Sequence, residues 1–202
     1  MSDIEKGVEW LIANEPLLAE VIAKAGPCTL QKHTDPFNRL VKAVVSQQIS
    51  TKAADSIFKK VLNLMNGSLE PKAILSFSTE ELRSAGLSGQ KVSYLKNLAE
   101  HFLQKPEFYE NLESQTDEQL IAELVSIKGI GIWSAQMFLM FTLCRINILP
   151  VDDLGLKKGM QVLYSLPQMP DKKTMQAIAA EKWGSYKSIA TWYMWRLIEF
   201  KN

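Results

Sequence analysis

The chain of 202 residues is 47% hydrophobic and 22% charged, an ordinary globular composition that excludes a disordered or fibrous protein. Its two cysteines, Cys28 and Cys144, exclude a disulfide framework, a four-thiolate zinc site and a cysteine-ligated iron–sulfur cluster, and read as small buried hydrophobes. No apolar run approaches the roughly 18 residues of a membrane span and the opening MSDIEKGVEW lacks the order of a secretory signal, so a soluble, cytoplasmic protein with no membrane partner is expected.

The net charge of +1 hides a mild gradient, from −3 over residues 1–35 through +1 over 36–150 to +3 over 151–202. That gradient permits a polyanionic partner without demanding one. Asp35-Pro36 offers an N-cap followed by proline at the first helical position, and Phe37, Leu40, Val41, Val44 and Val45 then fall on one face, which predicts a helix. A polar interruption, Ser46-Gln47-Gln48-Ile49-Ser50-Thr51, separates it from a second periodic run through Ala54, Ile57, Phe58, Val61, Leu62 and Met65, stopped at Asn66-Gly67. Ser78 with Glu81, and Thr116 with Gln119, have the spacing of capping boxes, and each predicts the start of a helix. Val92, Leu95, Leu98, Ala99 and Phe102 predict a helix over 91–102, and 174–183 reads as another. With no alternating run between hairpin turns, the fold class is all-α, roughly ten short helices without a β domain.

The helix opened by Thr116 runs into Ile127-Lys128-Gly129-Ile130-Gly131, and a further helix follows from Ile132. Two glycines around one apolar residue let the backbone turn sharply and approach another molecule closely, while Ile130 anchors the turn. The amides of Gly129, Gly131 and Ile132 then lie at a helix start, where unpaired N–H groups and the helix dipole favour a phosphate oxygen.

The segment Leu124-x-x-Ile127-Lys128-Gly129-Ile130-Gly131-Ile132-Trp133-Ser134-Ala135, followed by Leu149-Pro150-Val151-Asp152-Asp153, resembles the helix-hairpin-helix (HhH-GPD) DNA glycosylases. Within that superfamily it is most similar to the alkylpurine, or 3-methyladenine, glycosylase II group. Val44 to Ser50 and Tyr186 to Arg196 match the same group, so the resemblance spans about residues 36–198. It implies two helical lobes: a central bundle over 36–149 that contains the hairpin motif at about 116–141, and a second lobe from 1–35 with 150–202. The substrate groove is expected between them.

The resemblance also implies residue roles. The catalytic carboxylate of the family sits at a loop-to-helix junction, followed three positions later by an apolar residue and then a basic one. Asp153 meets that pattern through Leu156 and Lys157, so it is expected to do the chemistry, with Asp152 capping, orienting or standing as the alternative. Trp133 and Trp195 align with tryptophans of the base pocket, and Met137 and Leu154 stand where some relatives carry tyrosines. Bifunctional relatives place a lysine at position 133 to attack the sugar; tryptophan there implies base removal without strand scission. Lys128 is expected to face phosphate or solvent. Gln48 is expected to wedge into the duplex as the damaged nucleotide swings out, with Gln47 and Ser50 holding the turn. Main-chain carbonyls of Val125, Ile127 and Ile130 correspond to those that hold Na+ or K+ in family hairpins; no other cofactor is required. The expected partner is double-stranded DNA containing alkylated purines, met by a monomer. A glycosylase for another damaged or mismatched base, and a non-catalytic DNA-binding module, stay open as alternatives. His33 and His101 lie outside every motif and read as ordinary surface or core histidines.

Overall fold

The computed structural model describes residues 1–200. In chain order the helices are α1 (Asp3–Asn14), α2 (Pro16–Ala25), α3 (Pro36–Ser46), α4 (Thr51–Leu64), α5 (Pro71–Ser76), α6 (Thr79–Ser84), α7 (Gly89–Gln104), α8 (Pro106–Glu110), α9 (Asp117–Ser126), α10 (Ile132–Phe141), α11 (Leu154–Leu163), α12 (Lys172–Lys182) and α13 (Lys187–Glu199). A short 3-10 turn, Leu112–Ser114, precedes α9, and there is no strand among the described residues. Among the described residues there are thirteen α-helices, above the ten expected, partly because α5 and α8 are six and five residues long, too short to show a period. The sequence reading also passed over α1, although Ser2 and Glu5 close a capping box there like the two found at Ser78 and Thr116.

The chain divides into two compact units, one of residues 33–138 and one of residues 1–32 with the chain from Leu139 onward. In the first, the predicted stripe of α3 is buried throughout, from Phe37 to Val45, with Val61 of α4, Ile74 of α5, Leu95 and Leu98 of α7 and Leu120 and Leu124 of α9. Asp35 caps α3 through Asn38 N–H, and Asn66 and Gly67 both take positive φ where α4 ends. His101 is a satisfied histidine in this unit: its ring nitrogens lie 2.7 Å from the Tyr109 hydroxyl and 2.7 Å from Oε1 of Glu123.

In the other unit α13 is the central element, buried from Ser188 to Met194. Around it pack Leu11 of α1, Leu18 of α2, Leu156 and Met160 of α11, and Met175 and Ala179 of α12. Gly159 lets α11 lie against α13, for a Cβ there would sit 2.8 Å from Met194 Cβ and 3.0 Å from its carbonyl oxygen. Where the sequence reading put a boundary at 149, the unit division falls after Phe138, and Phe141 stacks on Trp195 while Arg145 to Ile148 bond to the start of α13. Ser188 N–H donates to the Ile146 carbonyl at 3.0 Å, its hydroxyl donates to the Arg145 carbonyl at 2.7 Å and accepts from Ile148 N–H at 2.9 Å. Cys28 and Cys144 are half-buried on the wall of a cavity of about 560 Å³ in this unit, and burial pushes the Cys28 thiol up to about 11.

Candidate functional site

Pro150 and Asp153 make the turn into α11, with Asp153 N–H donating to the Pro150 carbonyl at 2.9 Å. Asp153 is the N-cap, in extended backbone at φ −70 and ψ 120. Its Oδ1 accepts from Leu156 N–H at 2.6 Å and from the indole Nε1–H of Trp195 at 2.9 Å. An anion is therefore fixed at the positive end of a helix dipole by one backbone donor and one side-chain donor. The expectation that Asp152 caps is corrected: Asp153 is itself the cap, and Asp152 is an exposed residue paired with Lys172 at 2.9 Å. The capping aspartate and the one expected to do the chemistry are the same residue here.

Trp195 is held on its other side by Phe141, whose ring lies 5.7 Å away and tilted by 17°. Gly155 closes the arrangement. A Cβ at that position would sit 3.0 Å from Trp195 Cδ1 and 3.2 Å from Asp153 Oδ1. Phe141 and Gly155 were missed by the sequence reading; a glycine in the first turn of a helix, about 1 kcal/mol worse than alanine there, was the available signal. Leu154 is exposed beside the cap, at 66%.

The hairpin lies in the other unit. Ile130 N–H donates to the Ile127 carbonyl at 3.0 Å, and Ile130 is buried as the anchor. Gly129 has φ +111, and a Cβ there would lie 2.2 Å from Tyr94 Cγ on α7, so both conformation and space demand glycine. Gly131 differs: nothing lies within 4 Å of its Cβ position, so its backbone is open to an outside molecule rather than crowded by its own chain. The α10 ladder begins with Ala135 N–H to the Gly131 carbonyl, which places the Gly131 and Ile132 amides ahead of the first intrahelical bond. Lys128 is exposed, as is Ile132. Trp133 is 47% exposed on the first turn of α10, and Met137 follows one turn later on the same face. The carbonyls of Val125, Ile127 and Ile130 are neutral oxygen donors of the kind an alkali cation takes, and that of Ile127 already accepts one N–H.

Between α3 and α4, Gln48 is exposed and in the left-handed region at φ 57. Ser50 caps α4 through Ala53 N–H, as expected. Gln47 does more than hold its own turn: its Nε2–H donates to the Gly129 carbonyl at 2.9 Å, joining the turn to the hairpin. Thus Asp153 and Trp195 are brought together in one unit, and Gln48 and the hairpin in the other.

The family described as HhH-GPD superfamily base excision DNA repair protein matches residues 41–185. The chain belongs to that family. DNA-3-methyladenine glycosylase 1 of Schizosaccharomyces pombe is 32% identical over 97% of this chain and 87% of its own length. Among solved structures, the DNA-3-methyladenine glycosidase of Bacillus halodurans matches with a TM-score of 0.83 at 35% identity, covering 94% of this chain and 88% of that one. The 3-methyladenine DNA glycosylase of Schizosaccharomyces pombe in complex with abasic DNA matches with a TM-score of 0.82 at 30% identity, covering 95% of each. The HhH-GPD assignment gives the hairpin and the Asp153 cap, two features in separate units, a single context.

Proposed function

We propose that this HhH-GPD protein is a monofunctional DNA glycosylase of base excision repair, which hydrolyses the N-glycosidic bond of alkylated, cationic purines such as 3-methyladenine and 7-methylguanine and leaves an abasic site. The observation that carries this reading is the Asp153 carboxylate, held at the start of α11 by Leu156 N–H and Trp195 Nε1–H. Cleavage of the bond builds positive charge on the deoxyribose. An anion already fixed before the reaction stabilises that charge without reorganising, and more strongly once DNA has displaced water. The same carboxylate can steer the attacking water. A methylated purine is itself cationic and leaves without a general acid, which suits a site with one catalytic carboxylate.

Trp195, backed by Phe141, and Trp133 supply aromatic faces, which reward positive charge on a base through cation–π attraction and stacking. Position 133 carries an indole and no amine to attack the sugar, which supports hydrolysis without strand cleavage. The Gly131 and Ile132 amides would take a backbone phosphate, and Gln48 would fill the gap left by the extruded nucleotide. One chain carries every one of these groups, so we read it as acting as a monomer on double-stranded DNA.

Incubation with methylated duplex DNA, followed by chromatography of the freed bases, tests this. Release of 3-methyladenine or 7-methylguanine, with no strand break and no borohydride-trapped adduct, is expected; no release of either base would overturn the reading.

A further inference from the structure

Three side chains on one face of α7 hold the hairpin and the turn that carries Gln48. Tyr94 packs its ring against Gly129, and Asn97 Nδ2–H donates to the Lys128 carbonyl at 3.3 Å. One turn earlier, Lys91 Nζ–H donates to the Val45 carbonyl at 2.6 Å, at the end of α3. Burial lowers the pKa of that lysine. Gln47 completes the link by donating to the Gly129 carbonyl. These positions lie far apart in sequence, Gln47 and Gly129 by 82 residues.

We propose that Gln47, with Lys91, Tyr94 and Asn97, forms a bracket that fixes the Gln48 turn to the hairpin, so that phosphate capture at Gly131 and Ile132 sets where Gln48 enters the duplex. Gln47 is a positioning residue, acting through Gln48, and the inference rests on the glycosylase reading above. Two of its features follow from physical chemistry. The bonds run from side chains to backbone carbonyls, so they locate the two main-chain segments themselves. The left-handed φ of Gln48 leaves a strained, exposed residue at the tip, whose direction is then decided by what holds its neighbour.

The bracket predicts a loss confined to substrates that need an intact pair opened. Gln47→Glu is isosteric but cannot donate to the Gly129 carbonyl. Its single-turnover base release from a lesion opposite its pairing partner should fall about tenfold, the size of one lost hydrogen bond. Release from the same lesion opposite an abasic gap should fall less than about threefold, because less unpairing is required. Affinity for undamaged duplex should stay within about twofold, since the hairpin phosphate contacts are untouched. Gln47→Lys restores a donor and should recover the paired substrate. The double variant Gln47→Glu with Gln48→Ala should be no slower than Gln48→Ala alone, because residues acting through one another are not additive. Equal losses on both substrates, or additive losses in the double variant, would overturn the bracket. A wild-type protein that releases no base from either duplex removes the glycosylase reading and the bracket with it; a wild type that releases base, with Gln47→Glu unchanged, removes the bracket alone. Should Gln47→Glu lower the thermal midpoint, Lys91→Met tests the same coupling from the α3 side.

Discussion

The indole N–H of Trp195 and the backbone N–H of Leu156 converge on a single oxygen of Asp153, at 2.9 and 2.6 Å. A helix cap and a tryptophan indole are thereby joined through one carboxylate, with Gly155 leaving room for the contact and Phe141 stacked on the indole. Loss of the indole donor should matter more than loss of the aromatic ring. Trp195→Phe is expected to slow base release at least about tenfold, the lower end for a hydrogen bond to a charged acceptor, with little change in DNA affinity. Single-turnover kinetics beside a binding titration make the comparison.

Asparagine caps a helix as well as aspartate does, so Asp153→Asn should keep the fold and the bond from Leu156 while removing the charge. Base release should be abolished with DNA binding and melting temperature preserved. Asp152→Asn should be close to neutral, because it gives up only an exposed pair with Lys172. A dead Asp152→Asn beside an active Asp153→Asn would reverse the assignment.

The two hairpin glycines should separate in their effects. Gly129→Ala forces a Cβ into the Tyr94 ring at positive φ and is expected to cost about 2 kcal/mol or more in denaturant unfolding. Gly131→Val meets open space and should leave stability nearly unchanged. It should weaken binding to duplexes of any sequence, because the phosphate contact proposed there would carry no sequence information. If both variants lose stability alike, the open face at Gly131 has been misjudged.

Glu123 is held below the usual carboxylate range, first by its hydrogen bond with Lys105 and then by His101 and the charges of both, against some desolvation. A depressed folded pKa adds stability that is present above the unfolded value and lost as pH falls through the folded one. Glu123→Gln should therefore lower stability near neutral pH by about 1 kcal/mol, reduced from a buried pair's worth by the partial exposure of the group. The difference should shrink as pH drops below about 4. Urea unfolding of both proteins at pH 7 and at about pH 3 gives the readout; a difference that stays constant across that range would place the stabilisation elsewhere.

Local chemistry was legible in the chain itself. The stripe of α3, the caps at Asp35, Ser78 and Thr116, the stop at Asn66-Gly67 and the glycine turn at Lys128 to Gly131 each depend on residues within a few positions, and a periodic pattern or a capping spacing records such dependence directly. The candidate anion at Asp153 was singled out by the family resemblance, because two aspartates before a helix read by themselves only as a cap and its neighbour.

Tertiary structure decided what those groups touch. That Asp153 both caps α11 and receives the Trp195 indole follows from the packing of α11 on α13, which Gly155 and Gly159 permit. That Gln47 reaches Gly129 follows from how α3 packs on α7, whose Tyr94 and Asn97 meet the hairpin. Arg145, Ile146 and Ile148 join α13 through Ser188, a serine indistinguishable in sequence from any surface hydroxyl. Contacts between distant segments leave no period behind them, because each is fixed by the folded backbone rather than by the neighbours of either residue along the chain.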